Sequence, residues 1–184
     1  SERVSINDFI VKACANALVA VPEVNVQFDG TNIRQFADAD IAVAVALDDG
    51  LITPIVNAAN RKTLREIAAE LRDLVARAKQ GQLQVAEFQG GSFSISNLGM
   101  FGIKQFDAII NPPQGAILAV GASEQRVVVH RGEIAIATLV NLCLSSDHRI
   151  IDGATASRFL VAVKKQLENP ATLTAQISAE LENA

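Results

Sequence analysis

Residues 126–167 read RVVVHRGEIAIATLVNLCLSSDHRIIDGATASRFLVAVKKQL, and the period of their apolar positions changes once. From Arg126 to Leu144 short apolar runs, rich in β-branched residues and partly alternating, lie on both sides of Arg131-Gly132, which predicts a long hairpin. From Ala154 the period lengthens: Phe159, Leu160, Val163 and Leu167 share one helical face, and Pro170 follows its end. Strand pairs feeding a helix through a short polar link are a unit of α/β architecture.

Working outward, the same two periods recur. Ser5-Ile6-Asn7-Asp8 has the form of a helix start, followed by Phe9, Ile10, Ala13, Ala17 and Leu18 at helical spacing up to Pro22. VNVQFDGTNIRQF alternates around Asp29-Gly30, a hairpin signal. DIAVAVAL (40–47) predicts one buried strand, turned by Asp48-Asp49-Gly50 into LITPIV. Thr63 to Glu66 repeats the capping pattern, and Ile67, Leu71, Leu74, Val75 and Ala78 make one face before Gly81. SFSISNL alternates with period two, and GAILAVGA is a short apolar run. This order predicts a single α/β domain with helices over one face of a mixed β-sheet.

The chain has 184 residues, a net charge of −4, 49% hydrophobic residues and a mean hydropathy of +0.26. That apolar share leaves surface to bury against other subunits. No basic stripe accompanies it, and Trp and Tyr are absent, so a nucleic-acid surface is not expected. No run is apolar and long enough to predict a membrane span. Cys14 and Cys143 fit no metal or disulfide spacing, and His130 and His148 have no paired ligands, so no metal is expected.

The polar link SSDHRIIDGA (145–154) holds one of the two histidines. Imidazole is suited to moving a proton near neutral pH. Asp152, four residues on, either orients His148 or an arginine, or caps the following helix. Spacing alone favours the cap. A second cluster, GGSFSISNLGMFG (90–102), sets Ser92, Ser94 and Ser96 on a strand flanked by Gly90, Gly91, Gly99 and Gly102. Such glycines admit a substrate or a neighbouring backbone, although the spacing is neither a dinucleotide loop nor a hydrolase elbow. Cys143 as a nucleophile competes with simple burial on its strand.

Together, SSDHRIIDGA, VSINDFIVKA, DIAVAVALDDGLITPIV, EFQGGSFSISNLGMFG and FDAIINPPQGAILAVGASE resemble the dihydrolipoamide acyltransferases, catalytic cores of 2-oxo acid dehydrogenase complexes. The match covers nearly the whole chain in family order. NLGMFGIKQFDAIINPPQ looks most like the acetyl-transferring branch that serves pyruvate dehydrogenase, with succinyl- and branched-chain-transferring relatives as the alternatives. A non-catalytic core paralogue is a further alternative, although such proteins typically lose the histidine.

The resemblance implies a chloramphenicol acetyltransferase-like two-layer α/β sandwich. It also implies that residues 1–184 are an acyltransferase catalytic domain lacking an N-terminal stretch and the lipoyl and peripheral-subunit-binding domains. His148 matches the family's catalytic base and Ser96 its oxyanion-stabilising hydroxyl. Asp152, Asp147 and Arg149 match supporting positions. The substrates implied are coenzyme A and a lipoyl group carried on a separate domain. The partners implied are two further copies in a homotrimer with active sites at the subunit interfaces, assembling into a 24-mer or 60-mer. Pyruvate dehydrogenase and dihydrolipoamide dehydrogenase components would join through the other domains. The implied compartment is bacterial cytoplasm or mitochondrial matrix.

Overall fold

A computed structural model describes residues 3–48 and 50–173. Asp49, in the middle of the expected Asp48-Asp49-Gly50 turn, lies outside the described residues. The centre is a five-stranded mixed sheet built from β3 (Ile41–Val43), β6 (Ile55–Val56), β7 (Phe93–Asn97), β8 (Ala116–Val120) and β11 (Leu142–Ser146). The strand order is β11-β8-β7-β3-β6. The β3, β7 and β8 strands run parallel, and the two edges, β6 and β11, run antiparallel to their neighbours.

Three helices supply the second layer: α1 (Ile6–Ala20), α2 (Leu64–Lys79) and α3 (Gly153–Leu167). Both expected capping boxes form, Ser5 with Asp8 and Thr63 with Glu66, so each helix start satisfies its first free N–H groups. The α1 helix packs against both α2 and α3. This central position explains why Ile10, Val11, Ala13, Cys14, Ala15, Ala17 and Leu18 are all buried. Small residues here let its neighbours approach closely.

Strand alternation divides the sheet residues between two faces. Ile41, Val43, Phe93, Ile95, Ala116, Leu118 and Val120 join the helices in one hydrophobic core. Within it, the rings of Phe93 and Phe159 lie 5.2 Å apart and tie the middle of the sheet to α3. Ala42, Ser94, Ser96, Ile117, Ala119 and Cys143 belong to the opposite face by the same alternation.

Two sequence expectations need correction. The run expected as one buried strand divides at Ala44: its first half is β3, and its second half is β4 (Val45–Leu47), paired with β5 (Gly50–Ile52) in a ribbon of its own. Local pairing wins here, because β5 is only a tight turn away and closing that turn costs little chain entropy. The long hairpin also ends early. The ribbon β9 (Glu124–His130) and β10 (Glu133–Leu139) stops before β11, which enters the central sheet instead. The expected Asp29-Gly30 hairpin does form, between β1 (Val26–Phe28) and β2 (Ile33–Gln35). Asp29 closes it by accepting from the N–H groups of Thr31 and Asn32, at 2.8 and 2.7 Å.

Candidate active site

The three serines of β7 and its approach have different surroundings. Ser92 is buried, and its hydroxyl accepts from Asp40 N–H at 3.1 Å. Ser94 is buried too, and it donates to the carboxamide oxygen of Gln114. Ser96 is half-buried, makes no side-chain hydrogen bond among the described residues, and lines a cleft of about 400 Å³. A free hydroxyl at the wall of a cleft can donate to a ligand at no cost to the fold.

The division of the strand at Ala44 opens this cleft. Beyond Ala44, whose N–H still donates to Ile95 O, the chain leaves its place beside β7, so β4 and β5 form one wall with Val45, Ala46 and Leu51. Asn97, Leu98, Met100 and Phe101, where β7 runs into a short helical turn, make the facing wall. Asn7 of α1 and Val75 and Lys79 of α2 also border it. Of these neighbours, Asn97, Leu98, Met100 and Phe101 belong to the glycine-flanked stretch 90–102 that the sequence marks as open to a substrate. Asn7 and Val75 stand out in the sequence only as parts of helices, and the wall from β4 and β5 has no signal beyond the Asp48-Asp49-Gly50 turn. Gly99 admits the backbone of a neighbouring segment: a Cβ there would lie 2.9 Å from the carbonyl oxygen of Gly121.

His148 sits in a tight turn between β11 and α3 and is exposed. The turn itself is firmly held. Asp147 N–H donates to Gly115 O at 2.9 Å, and Ile150 and Ile151 N–H donate to Asp147 O at 3.0 and 2.9 Å. Gly115 is closely packed at that point: a Cβ there would come within 2.9 Å of Val26 Cγ2 and 3.1 Å of Ile150 and Ile151 Cδ1, so those side chains would have to shift. The Arg149 guanidinium donates from Nη2 to Asp147 Oδ2 at 2.7 Å and lies 4.7 Å from the centre of the Phe28 ring. These contacts with Arg149 hold the Asp147 carboxyl below its ordinary range.

Asp152 caps α3, accepting from Thr155 N–H at 2.7 Å, and that bond is the main cause of its lowered pKa. Its carboxylate therefore serves the helix, and it makes no hydrogen bond to the His148 ring among the described residues. Cys143, level with Ala119 on β11, is only half-buried, whereas Cys14 is fully buried and burial pushes its thiol upward.

The ladder sets Ser96 and His148 far apart within one chain. Ser96 pairs with Ala119, and Ala119 pairs with Cys143. From that level β11 continues for three residues to Ser146 before reaching the turn, which is about 10 Å along the strand, and two strand spacings add about 10 Å across. The two side chains therefore stand near opposite ends of the sheet, well beyond hydrogen-bonding reach.

Residues 1–175 match the family described as 2-oxoacid dehydrogenases acyltransferase (catalytic domain). The chain is 51% identical over 92% of its length to the dihydrolipoyllysine-residue acetyltransferase component of the pyruvate dehydrogenase complex of Rickettsia conorii. It spans about two fifths of the length of the curated relatives it matches. Among solved structures it is similar to the cubic core of the pyruvate dehydrogenase multienzyme complex, with TM-score 0.89, 31% identity, and coverage of 94% of this chain and 72% of that one. It is also similar to the Azotobacter vinelandii dihydrolipoamide acetyltransferase, with TM-score 0.87, 32% identity, and coverage of 92% and 71%. In that protein the roles of a serine, a histidine and an asparagine in the catalytic mechanism were investigated. Chloramphenicol acetyltransferase, 16% identical with TM-score 0.57 over 89% of this chain and 78% of that one, shares the fold. The sheet, the helix layer and these matches agree: the chain belongs to the 2-oxoacid dehydrogenase acyltransferase family, in its catalytic domain.

Proposed function

We propose that this chain transfers an acetyl group between a dihydrolipoyl arm and coenzyme A, as part of the core of a pyruvate dehydrogenase complex. The observation that carries the reading is the Ser96 hydroxyl, free on a cleft wall while Ser92 and Ser94 are tied into the fold. The serine, histidine and asparagine investigated in the Azotobacter protein have the same separations in sequence as Ser96, His148 and Asp152. An aspartate thus stands here in place of the asparagine, and it caps a helix.

In the proposed mechanism His148 takes the proton of the coenzyme A thiol. The thiolate adds to the thioester carbonyl of the acetylated lipoyl arm, forming the new C–S bond. Negative charge collects on the carbonyl oxygen, where the Ser96 hydroxyl donates a hydrogen bond. Collapse of the intermediate breaks the old C–S bond, and the departing lipoyl thiolate receives the proton from His148. No acyl-enzyme forms, because holding both thiols in line supplies the proximity. Asp147 and Arg149 act on the turn, and Asp152 on the helix that follows it.

The separation of Ser96 and His148 within one chain calls for a site completed by a neighbouring copy. The exposed apolar faces support that arrangement. On the β9–β10 ribbon, Val127 stands opposite Ile136 and Val129 opposite Ile134, and these four are 71–81% exposed. A two-stranded ribbon is at best marginal by itself, and an uncovered apolar face of this kind suits a subunit contact. A trimer with three interfacial sites, built into a larger core, satisfies both requirements.

The test is an assay of the full-length protein with dihydrolipoamide and acetyl-, succinyl- or isobutyryl-CoA. Acetyl transfer should dominate. Preference for succinyl or isobutyryl groups would reassign the acyl class, and no transfer from any donor would overturn the enzymatic reading.

A further inference from the structure

We infer that Ala44 sets the length of the acyl group that this site accepts. The inference rests on the acyl-transfer reading and adds a specificity-determining residue to it. The β3–β7 register aligns Ala42 with Ser94 and Val43 with Ile95, so the next position, Ala44, stands beside Ser96. Parallel strands lie about 5 Å apart, which puts the side chain at 44 within one or two carbon atoms of any group bonded to the Ser96 hydroxyl. Both residues line the same cleft.

The backbone at Ala44 cannot easily retreat from a larger side chain. Its N–H donates to Ile95 O at 2.9 Å, and Val43 N–H donates to Pro54 O at the same distance. Beyond it the chain turns away into β4, so Ala44 is the last residue of this run held against β7. Val45, Ala46 and Leu51 make the wall beside Ala44 apolar, whereas the polar members of the cleft, Asn7, Asn97 and Lys79, belong to other elements. A methyl group at position 44 leaves room for a short, unbranched acyl group next to the oxyanion position. A β-branched side chain there would fill that room.

The experiment compares acetyl-, propionyl- and butyryl-CoA as donors to dihydrolipoamide, using full-length wild type, Ala44→Val and Ala44→Gly. A methylene-sized change in an apolar pocket shifts discrimination by roughly 10-fold or more. Ala44→Val should therefore lower the propionyl-to-acetyl ratio of kcat/KM by about 10-fold, and Ala44→Gly should raise it in the opposite sense. Should the valine variant fail to fold, the glycine variant decides alone. A ratio unchanged from wild type overturns the role of Ala44, even where overall activity falls. If the wild type transfers none of the three groups, the acyl-transfer reading falls first and the inference with it.

Discussion

Ser96 and His148 stand near opposite ends of one five-stranded sheet: Ser96 is level with Ala119 and Cys143, while His148 lies past Ser146, where Asp147 is bonded to Gly115. Each side chain is well supported locally, and neither can reach the other. A proton carrier and an oxyanion donor must both sit within a few ångströms of the reacting carbon. Their separation therefore determines how the proposed site must be tested.

The first expectation concerns complementation. His148→Ala and Ser96→Ala chains, each inactive when assembled alone, should recover activity when unfolded and refolded together. Random mixing restores about a quarter of the sites if serine and histidine come from neighbouring subunits. A mixture as inactive as its components would place both groups in the same chain and contradict the ladder.

Replacing His148 with alanine should lower acetyl transfer by about 10²–10⁴-fold, the usual contribution of a general base. Assembly size, read by light scattering, should not change, because the ring is exposed and the turn is held by Asp147, Gly115 and Ile151. Retained turnover would remove the base assignment.

For Ser96→Ala the loss should fall on kcat, by about 10²–10³-fold, with little change in KM for coenzyme A. A hydrogen bond that strengthens as charge develops acts on the transition state more than on the bound substrate. A loss confined to KM would make Ser96 a ground-state contact.

The Asp152 carboxylate gives a stability test with a defined pH dependence. Its folded-state pKa is lowered, chiefly by Thr155 N–H, so the cap stabilises the fold above the ordinary carboxylate range. That contribution fades as pH falls through the lowered folded-state value. At neutral pH Asp152→Ala should lower Tm, whereas Asp152→Asn should keep most of the stability because asparagine also caps. The gap between wild type and Asp152→Ala should narrow in acid. A gap that widened in acid would contradict the capping role.

Gly115→Ala tests the support of the His148 turn. The added methyl would press on Val26, Ile150 and Ile151 and should cost about 1–3 kcal/mol of stability. Activity at a temperature where the variant remains folded should fall further than for a core substitution of equal cost, such as one at Val163. Equal losses would show that the turn tolerates the shift.

Much of this molecule is determined by local sequence. Capping boxes at Ser5 and Thr63, the Asp29-Gly30 hairpin and the helix after Asp152 form as their residues dictate, because each depends on contacts only a few positions apart. Family motifs distributed along the chain likewise single out Ser96 and His148 as candidates, on sequence alone. The division of the run 40–47 at Ala44 depended on which partner its second half would take, and alternation reads the same for either partner. The cleft beside Ser96 follows from that choice. Sequence also assigned Asp152 two possible duties, and only the fold, by aiming its carboxylate at Thr155, selected one. The same limit applies to the pair at the heart of the proposed site: sequence names both residues, whereas sheet order and strand direction, set by long-range packing, hold them apart within one chain.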